Sequence, residues 1–213
     1  MKLQLALDMV DLNEALDCIN ETQGSIDIIE VGTPLALKCG IRAIAFIKDK
    51  YPGMDLLADF KIMDAGNYEA SIAFDAGADI VTVLGAASDV TIAGAISAAR
   101  KYRKEIMVDL IGVAEIKQRI ISMDKLGADY ACLHTGVDSQ NGLNSPVEQL
   151  LVAKQSVTRT RLAIAGGINS RNIGNIVMVN PDVIVVGAGI TAEPDRTRAA
   201  ADIKRWMGEA NSI

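Results

Sequence analysis

Short β-branched and aliphatic runs alternate with amphipathic segments from one end of the chain to the other, and this repeated pattern constrains the fold more than any motif. The runs are Leu3–Leu7, Ile26–Val31, Asp55–Phe60, Ile80–Leu84, Ile106–Leu110, Tyr130–Leu133, Leu162–Ala165 and Val183–Val186. Each has the length of a strand, and near-continuous apolarity is what parallel strands covered on both faces require. Between them, apolar residues recur at the helical spacing i, i+3, i+4, i+7. Examples are Leu12/Ala15/Leu16/Ile19, Ile92/Ala95/Ile96/Ala99, Ile116/Ile120/Met123 and Val147/Leu150/Leu151. The punctuation agrees. Asp11 stands three residues before Glu14, and Thr33-Pro34 and Ser145-Pro146 place proline at a first helical position. Gly77-Ala78-Asp79 and Gly127-Ala128-Asp129 both read as a glycine that ends a helix, followed at once by a strand.

Eight such units of roughly 25 residues predict a single (β/α)8 TIM barrel over residues 1–213, near the minimum length for that fold. A doubly wound open sheet also alternates, but the sequence shows neither a Gly-x-Gly-x-x-Gly after the first run nor a sign of a switch point. The chain is 50% hydrophobic but only 4% aromatic, which suits a tight interior of small and branched side chains. With 27 acids against 21 bases, a net charge of −6 and no basic run, no nucleic acid or anionic membrane is expected as a partner. No apolar stretch is long enough to span a bilayer, and the N-terminal run ending at Asp8 is too short for a signal peptide. Cys18, Cys39 and Cys132 are odd in number and widely spaced, which reads as buried thiols in a reducing cytoplasm rather than a disulfide or zinc framework.

The runs end at Asp8, Glu30, Asp59, Gly85, Asp109, His134, Gly166 and Gly187. In a barrel these ends converge on the rim that carries the chemistry. The period of two puts Leu57, Asp59 and Lys61 on one face of the third strand, and Cys132 on the face of His134. Asp8, Glu30, Asp59, Lys61, Asp109 and His134 are therefore expected to ring one cavity. Any one of these acids alone reads as a helix cap, but six groups at matching positions point to a site. Crowded carboxylates repel; a lysine compensates in part and a divalent cation does so better. The oxygen ligands Glu30 and Asp59 suit Mg2+ rather than Zn2+, with Cys132 as packing. Gly166-Gly167-Ile168-Asn169 and Gly187-Ala188-Gly189-Ile190-Thr191 follow the last two runs, where barrels frequently bind phosphate. Gly166, Gly167, Gly187, Ala188 and Gly189 are the candidate contacts, although either run alone also reads as a tight turn. The polar loop Thr135–Asn144, with Gly136 and Gly142, reads equally as a lid or as passive surface.

Asp59-Phe60-Lys61-Ile62-Met63-Asp64 matches the Asp-x-Lys-x-x-Asp signature of the orotidine monophosphate decarboxylase superfamily, and Asp8 and Glu30 stand where that superfamily has its first- and second-strand acids. Within it, the chain resembles the 3-hexulose-6-phosphate synthase family from Leu3 through the last helical segment. Leu5-Ala6-Leu7-Asp8, Glu30-Val31-Gly32-Thr33-Pro34, Ala58-Asp59-Phe60-Lys61, Val108-Asp109-Leu110-Ile111-Gly112 and His134-Thr135-Gly136-Val137-Asp138 carry the resemblance. It implies a reversible, Mg2+-dependent aldol condensation of formaldehyde with D-ribulose 5-phosphate through an enediolate, giving D-arabino-hex-3-ulose 6-phosphate. His134 would be the base, and Lys61 would balance the acids and donate to developing negative charge. Glu30 and Asp59 would hold Mg2+ directly or through water, while Asp8 and Asp109 would orient sugar hydroxyls or metal waters. The resemblance further implies a homodimer with Asp64 supplied to the neighbour's site; Asp64 also stands where it would cap the next helix. The related 3-keto-L-gulonate 6-phosphate decarboxylases share the signature and the metal site. They typically carry Arg, Glu and Arg where this chain has Val137, Asp109 and Ala188, and all three departures favour the synthase. Without an arginine at 188, the phosphate would rest on backbone amides with less help from charge. A non-catalytic phosphosugar-binding protein is the alternative from another class.

Overall fold

The computed structural model describes residues 1–139 and 146–210. All eight runs become strands: β1 (Lys2–Leu7), β2 (Ile28–Val31), β3 (Asp55–Ile62), β4 (Ile80–Leu84), β5 (Glu105–Asp109), β6 (Tyr130–His134), β7 (Arg161–Ala165) and β8 (Val183–Val186). They pair in sequence order, all parallel, and β8 closes on β1 from Lys2↔Val183 to Leu5↔Val186. The expected (β/α)8 barrel is what forms, and no open sheet edge is left.

Strand β2 starts two residues later than the apolar pattern suggests, because Asp27 is used otherwise: its carboxylate accepts the Leu3 N–H at 2.7 Å. The same device recurs around the barrel. Asp79, Asp129 and Asp182, each just before an even-numbered strand, accept the N–H groups of Leu56, Ile106 and Leu162 at 2.9, 2.9 and 2.7 Å. Four carboxylates thus satisfy backbone donors at the closed end of the barrel, where unpaired N–H groups would otherwise be buried.

The helices cover the outside. Helix α1 (Leu12–Thr22) is capped by Asp11, which accepts from the N–H groups of Asn13 and Glu14 at 2.8 and 3.1 Å. Two helices, α2 (Thr33–Cys39) and α3 (Arg42–Lys50), lie between β2 and β3, separated at Gly40 (φ +67°). Next come α4 (Gly66–Asp75), α5 (Asp89–Tyr102), α6 (Ile116–Leu126), α7 (Pro146–Lys154), α8 (Ile173–Val177), α9 (Ala188–Thr191) and α10 (Arg196–Ala210). Leu151, counted on the apolar stripe of α7, faces solvent instead. None of the described helices is long and apolar enough to cross a membrane.

Two apolar cores result. The larger lies between strands and helices; the smaller plugs the barrel with Ala6, Ile28, Leu57, Ile80, Met107, Tyr130, Cys132, Ala163, Ala165, Val183 and Val185. Burying each large side chain stabilises the fold by about 1.5–3 kcal/mol, and the plug forms the apolar floor on which the polar rim stands.

One irregularity matters for function. Strand β3 pairs with β4 at Ala58↔Val81 and again at Ile62↔Val83, so four residues of β3 advance against two of β4. The simple alternation of Leu57, Asp59 and Lys61 does not hold here. Lys61 sits in the left-handed region, with φ of +47°, and reaches the cavity by this backbone turn rather than by strand periodicity. Thr82 supports the bulge, its Oγ1 accepting the Lys61 N–H at 2.9 Å.

Candidate active site

The C-terminal ends of the strands enclose a cavity of about 860 Å³, within the range of small-molecule sites. Asp8, Glu30, Asp59, Lys61, Asp109 and His134 all line it, as do Gly166, Gly167, Gly187, Ala188 and Gly189. Asp64 does not: it is exposed outside its own barrel mouth. Nor does Asp64 cap α4 in the usual way. Among the described residues its Oδ1 accepts only the N–H of the adjacent Ala65, at 2.7 Å, and Ala65, in a left-handed conformation, is the cap. Of the loop Thr135–Asn144, residues 140–144, with Gly142, lie outside the described residues; Gly136 lines the cavity.

Three carboxylates are sunk into the barrel, with Glu30 7%, Asp59 5% and Asp109 3% exposed. Asp59 is held on both oxygens. Oδ1 accepts from Thr82 Oγ1 at 2.9 Å, and Oδ2 accepts from Thr33 Oγ1 at 2.8 Å and from the Lys61 ammonium. Lys61 also lies 3.6 Å from Asp109 Oδ2. Burial alone would depress the lysine, but Asp59, with Asp109 and Glu30, outweighs it and raises its pKa, so the ammonium persists at neutral pH.

Glu30 is the least compensated group. Its Oε2 accepts a 2.6 Å hydrogen bond from Gln4 Nε2, and burial, then Asp59 and Asp8, push its carboxyl well above the ordinary range. Gln4 is itself fully buried, and its Oε1 has no hydrogen-bond partner among the described residues. Asp8 stands at the open rim, where solvent still reaches it. Crowding by the walls of the mouth, and then by Asp59, raises its pKa as well. Cys132 lines the cavity two residues below His134; burial pushes its thiol far up, so it packs as a neutral group and does not serve as a thiolate ligand.

Asp109 has a partner that the sequence reading did not give it. Its Oδ2 lies 2.9 Å from His134 Nδ1, and its Oδ1 accepts the Ile111 N–H at 2.9 Å. A sugar hydroxyl would have to compete for this carboxylate with the imidazole. Thr33, Thr82 and Gln4, which hold Asp59 and Glu30, were likewise missed. The Thr33-Pro34 helix start was the only local signal for any of them.

Among the described residues, no group of three or more His, Cys, Asp or Glu side chains is arranged to hold a metal by itself. The donor set nevertheless fits a hard cation that takes the rest of its shell from water or ligand oxygens. Glu30 and Asp59 are both buried, Glu30 is under strong pressure to lose its charge, and a buried amide oxygen lies unpartnered beside it.

The glycine loops meet at the far side of the mouth. Gly166 has φ of +106°, and a Cβ there would lie 2.1 Å from Thr135 O; a Cβ on Gly189 would lie 2.1 Å from Ile168 O. Glycine is therefore required at both places, by close backbone approach.

A family model described as the orotidine 5'-phosphate decarboxylase / HUMPS family matches residues 1–203. The 3-hexulose-6-phosphate synthase of Bacillus subtilis (strain 168) is 44% identical over 207 residues, which cover 97% of this chain and 99% of the relative. The crystal structure of 3-hexulose-6-phosphate synthase from Salmonella typhimurium superposes with a TM-score of 0.95 at 40% identity, over 99% of this chain and all of the other. A 3-keto-L-gulonate-6-phosphate decarboxylase from Vibrio cholerae shares the architecture at a TM-score of 0.85, with 25% identity over 98% of this chain and 97% of the other.

Proposed function

The chain belongs to the orotidine 5'-phosphate decarboxylase / HUMPS family, and from that premise we propose that it condenses formaldehyde with D-ribulose 5-phosphate to give D-arabino-hex-3-ulose 6-phosphate, reversibly. The observation that carries this reading is the orientation of His134. With Nδ1 directed at the Asp109 carboxylate, the nitrogen left to act on a ligand in the cavity is Nε2.

The chemistry follows from the groups in place. His134 Nε2 takes a proton from C1 of the bound ketose, and the C–H electron pair becomes the enediolate. The Lys61 ammonium, fixed beside Asp59, faces the developing negative charge without having to reorganise. C1 then attacks the formaldehyde carbon, and the proton held on His134 passes to the new alkoxide. Asp8, which lines the rim, would bond sugar hydroxyls. Glu30 and Asp59 would hold Mg2+, which supplies Lewis-acid polarisation of the ketone when bound. The glycine loops after β7 and β8 receive the phosphate.

Assembly is part of the proposal. Asp64 lies outside its own cavity, and exposed apolar residues share its side of the chain: Met63 beside it, Tyr68 and Ile72 one turn apart on α4, and Val90 at the start of the α5 packed against α4. Such a patch suits a second copy of the chain, which would bring Asp64 to the neighbour's mouth. A cytoplasmic setting fits the three free thiols.

The deciding experiment is to follow labelled formaldehyde and ribulose 5-phosphate by NMR with Mg2+ present, assaying decarboxylation of 3-keto-L-gulonate 6-phosphate in parallel. Appearance of the hexulose phosphate is expected. Carbon dioxide release without it would turn the assignment to the decarboxylase, and binding without turnover would turn it to a phosphosugar-binding protein.

A further inference from the structure

We propose that Arg171 is the side chain that grips the ligand's phosphate, an inference that rests on the phosphosugar reading of the cavity. The charge around the mouth poses the problem. Asp8, Glu30, Asp59, Asp109 and Glu193 line the cavity, while Lys61 and Arg171 are its lysine and arginine groups. Lys61 is committed at the centre, between Asp59 and Asp109. A phosphate monoester approaching such a wall is repelled unless a cation meets it, and glycine amides supply only partial charges.

Arg171 is placed to meet it. It lines the cavity from the loop after β7, is exposed, and forms no ion pair among the described residues. The turn that carries it is firmly built. Asn169 Oδ1 accepts the Arg171 N–H at 2.9 Å, Asn172 Oδ1 accepts the Asn169 N–H at 2.9 Å, and Asn172 Nδ2 donates to Gly167 O at 2.9 Å. Ile168 and Asn169 of the same turn press on Gly189, so Arg171 enters the cavity wall from a turn that joins both glycine loops. A planar guanidinium pairs with two phosphate oxygens at once. The backbone amides keep their part, and the help from charge that Ala188 cannot give enters the mouth one strand earlier.

Calorimetry with ribulose 5-phosphate, inorganic phosphate and unphosphorylated ribulose tests this on wild type, R171Q and R171K. Arg171 is exposed, so the fold should survive substitution, with circular dichroism as the check. R171Q is expected to lose tenfold or more in affinity for ribulose 5-phosphate and for inorganic phosphate, with ribulose unchanged. R171K should recover part of the loss. Equal affinities in wild type and R171Q for both phosphates would overturn the role of Arg171 and leave the synthase reading standing. Wild-type binding of ribulose 5-phosphate without turnover would overturn the synthase reading alone. No wild-type binding at all would overturn both.

Discussion

Asp109 and His134 form a carboxylate–imidazole pair across adjacent strands, 2.9 Å between Oδ2 and Nδ1. Burial alone would raise the pKa of Asp109, but the hydrogen bond and charge of His134, the Ile111 N–H and Lys61 outweigh it and hold it below the ordinary carboxylate value. An ionised Asp109 demands a proton on Nδ1 and so keeps the lone pair on Nε2. Asp109→Asn preserves the shape and removes that demand. We expect kcat to fall by roughly 10²-fold or more with KM little changed, as when a base loses the group that orients it. Unchanged kcat would leave Asp109 a structural acid.

His134→Ala should fold and bind the phosphosugar while turnover drops by roughly 10²–10⁴, the range for loss of a general base. Exchange of the C1 proton of ribulose 5-phosphate with D2O, measured without formaldehyde, should vanish as well. Full exchange in the variant would remove His134 from the role of base.

Glu30 gives a prediction in pH. Its carboxyl is raised above its usual 4.5 by burial and by Asp59 and Asp8. A raised acid binds its proton more tightly when folded, so folding loses stability as pH climbs above the unfolded value, until the folded group has ionised. In chelator, wild type should therefore fall relative to Glu30→Gln over a window opening near 4.5 and running upward, read as the difference between their melting curves. Added Mg2+ should stabilise wild type more than the variant, and Glu30→Gln should need more metal for activity. Full activity of wild type after exhaustive chelation would sink the metal mechanism.

Asp124 behaves in the opposite sense. On α6, it accepts hydrogen bonds from Thr158 N and Oγ1, Arg159 N, and Thr160 N and Oγ1, which tie that helix to the start of β7. Burial would raise its pKa, but these donors win and hold it well below 3.8. A depressed acid contributes stability above its unfolded pKa and loses it as pH falls. Asp124→Asn should cost about 2–3 kcal/mol at neutral pH, for hydrogen bonds to a charged group. The gap to wild type should shrink as pH drops below 3.8; a gap independent of pH would mean that the charge is not what matters.

Much of this molecule can be read from periodicity, for a physical reason. Strand ends in a barrel converge whatever the sequence between them, so Asp8, Glu30, Asp59, Asp109 and His134 could be placed on one rim without coordinates. Caps are equally local: Asp11 and Gly127 act within a few residues of themselves. What escaped was set by register between distant strands. Thr82 lies opposite Asp59 because Ala58 pairs with Val81, a register between two strands that no spacing within either one announces. The pairing of Asp109 with His134 and of Gln4 with Glu30 depends on which inward side chains share a height, which is a property of barrel tilt. Arg171 was passed over because a loop residue beyond a glycine turn has no period to place it.

The last prediction concerns assembly. Asp64 carries an exposed carboxylate outside its own cavity, beside the exposed Met63. If its role is played in a neighbour's mouth, each site takes Lys61 from one copy and Asp64 from the other. Lys61→Ala and Asp64→Asn should each be nearly inactive alone, the first losing the cavity's central ammonium and the second the partner's acid. In a mixed dimer, one site then carries both defects and the other carries neither. Random reassociation of equal amounts makes about half the dimers mixed, so roughly a quarter of wild-type activity should return. Subunit exchange is verified first, by native mass spectrometry of tagged chains. Exchange without recovered activity would confine Asp64 to the surface of its own subunit.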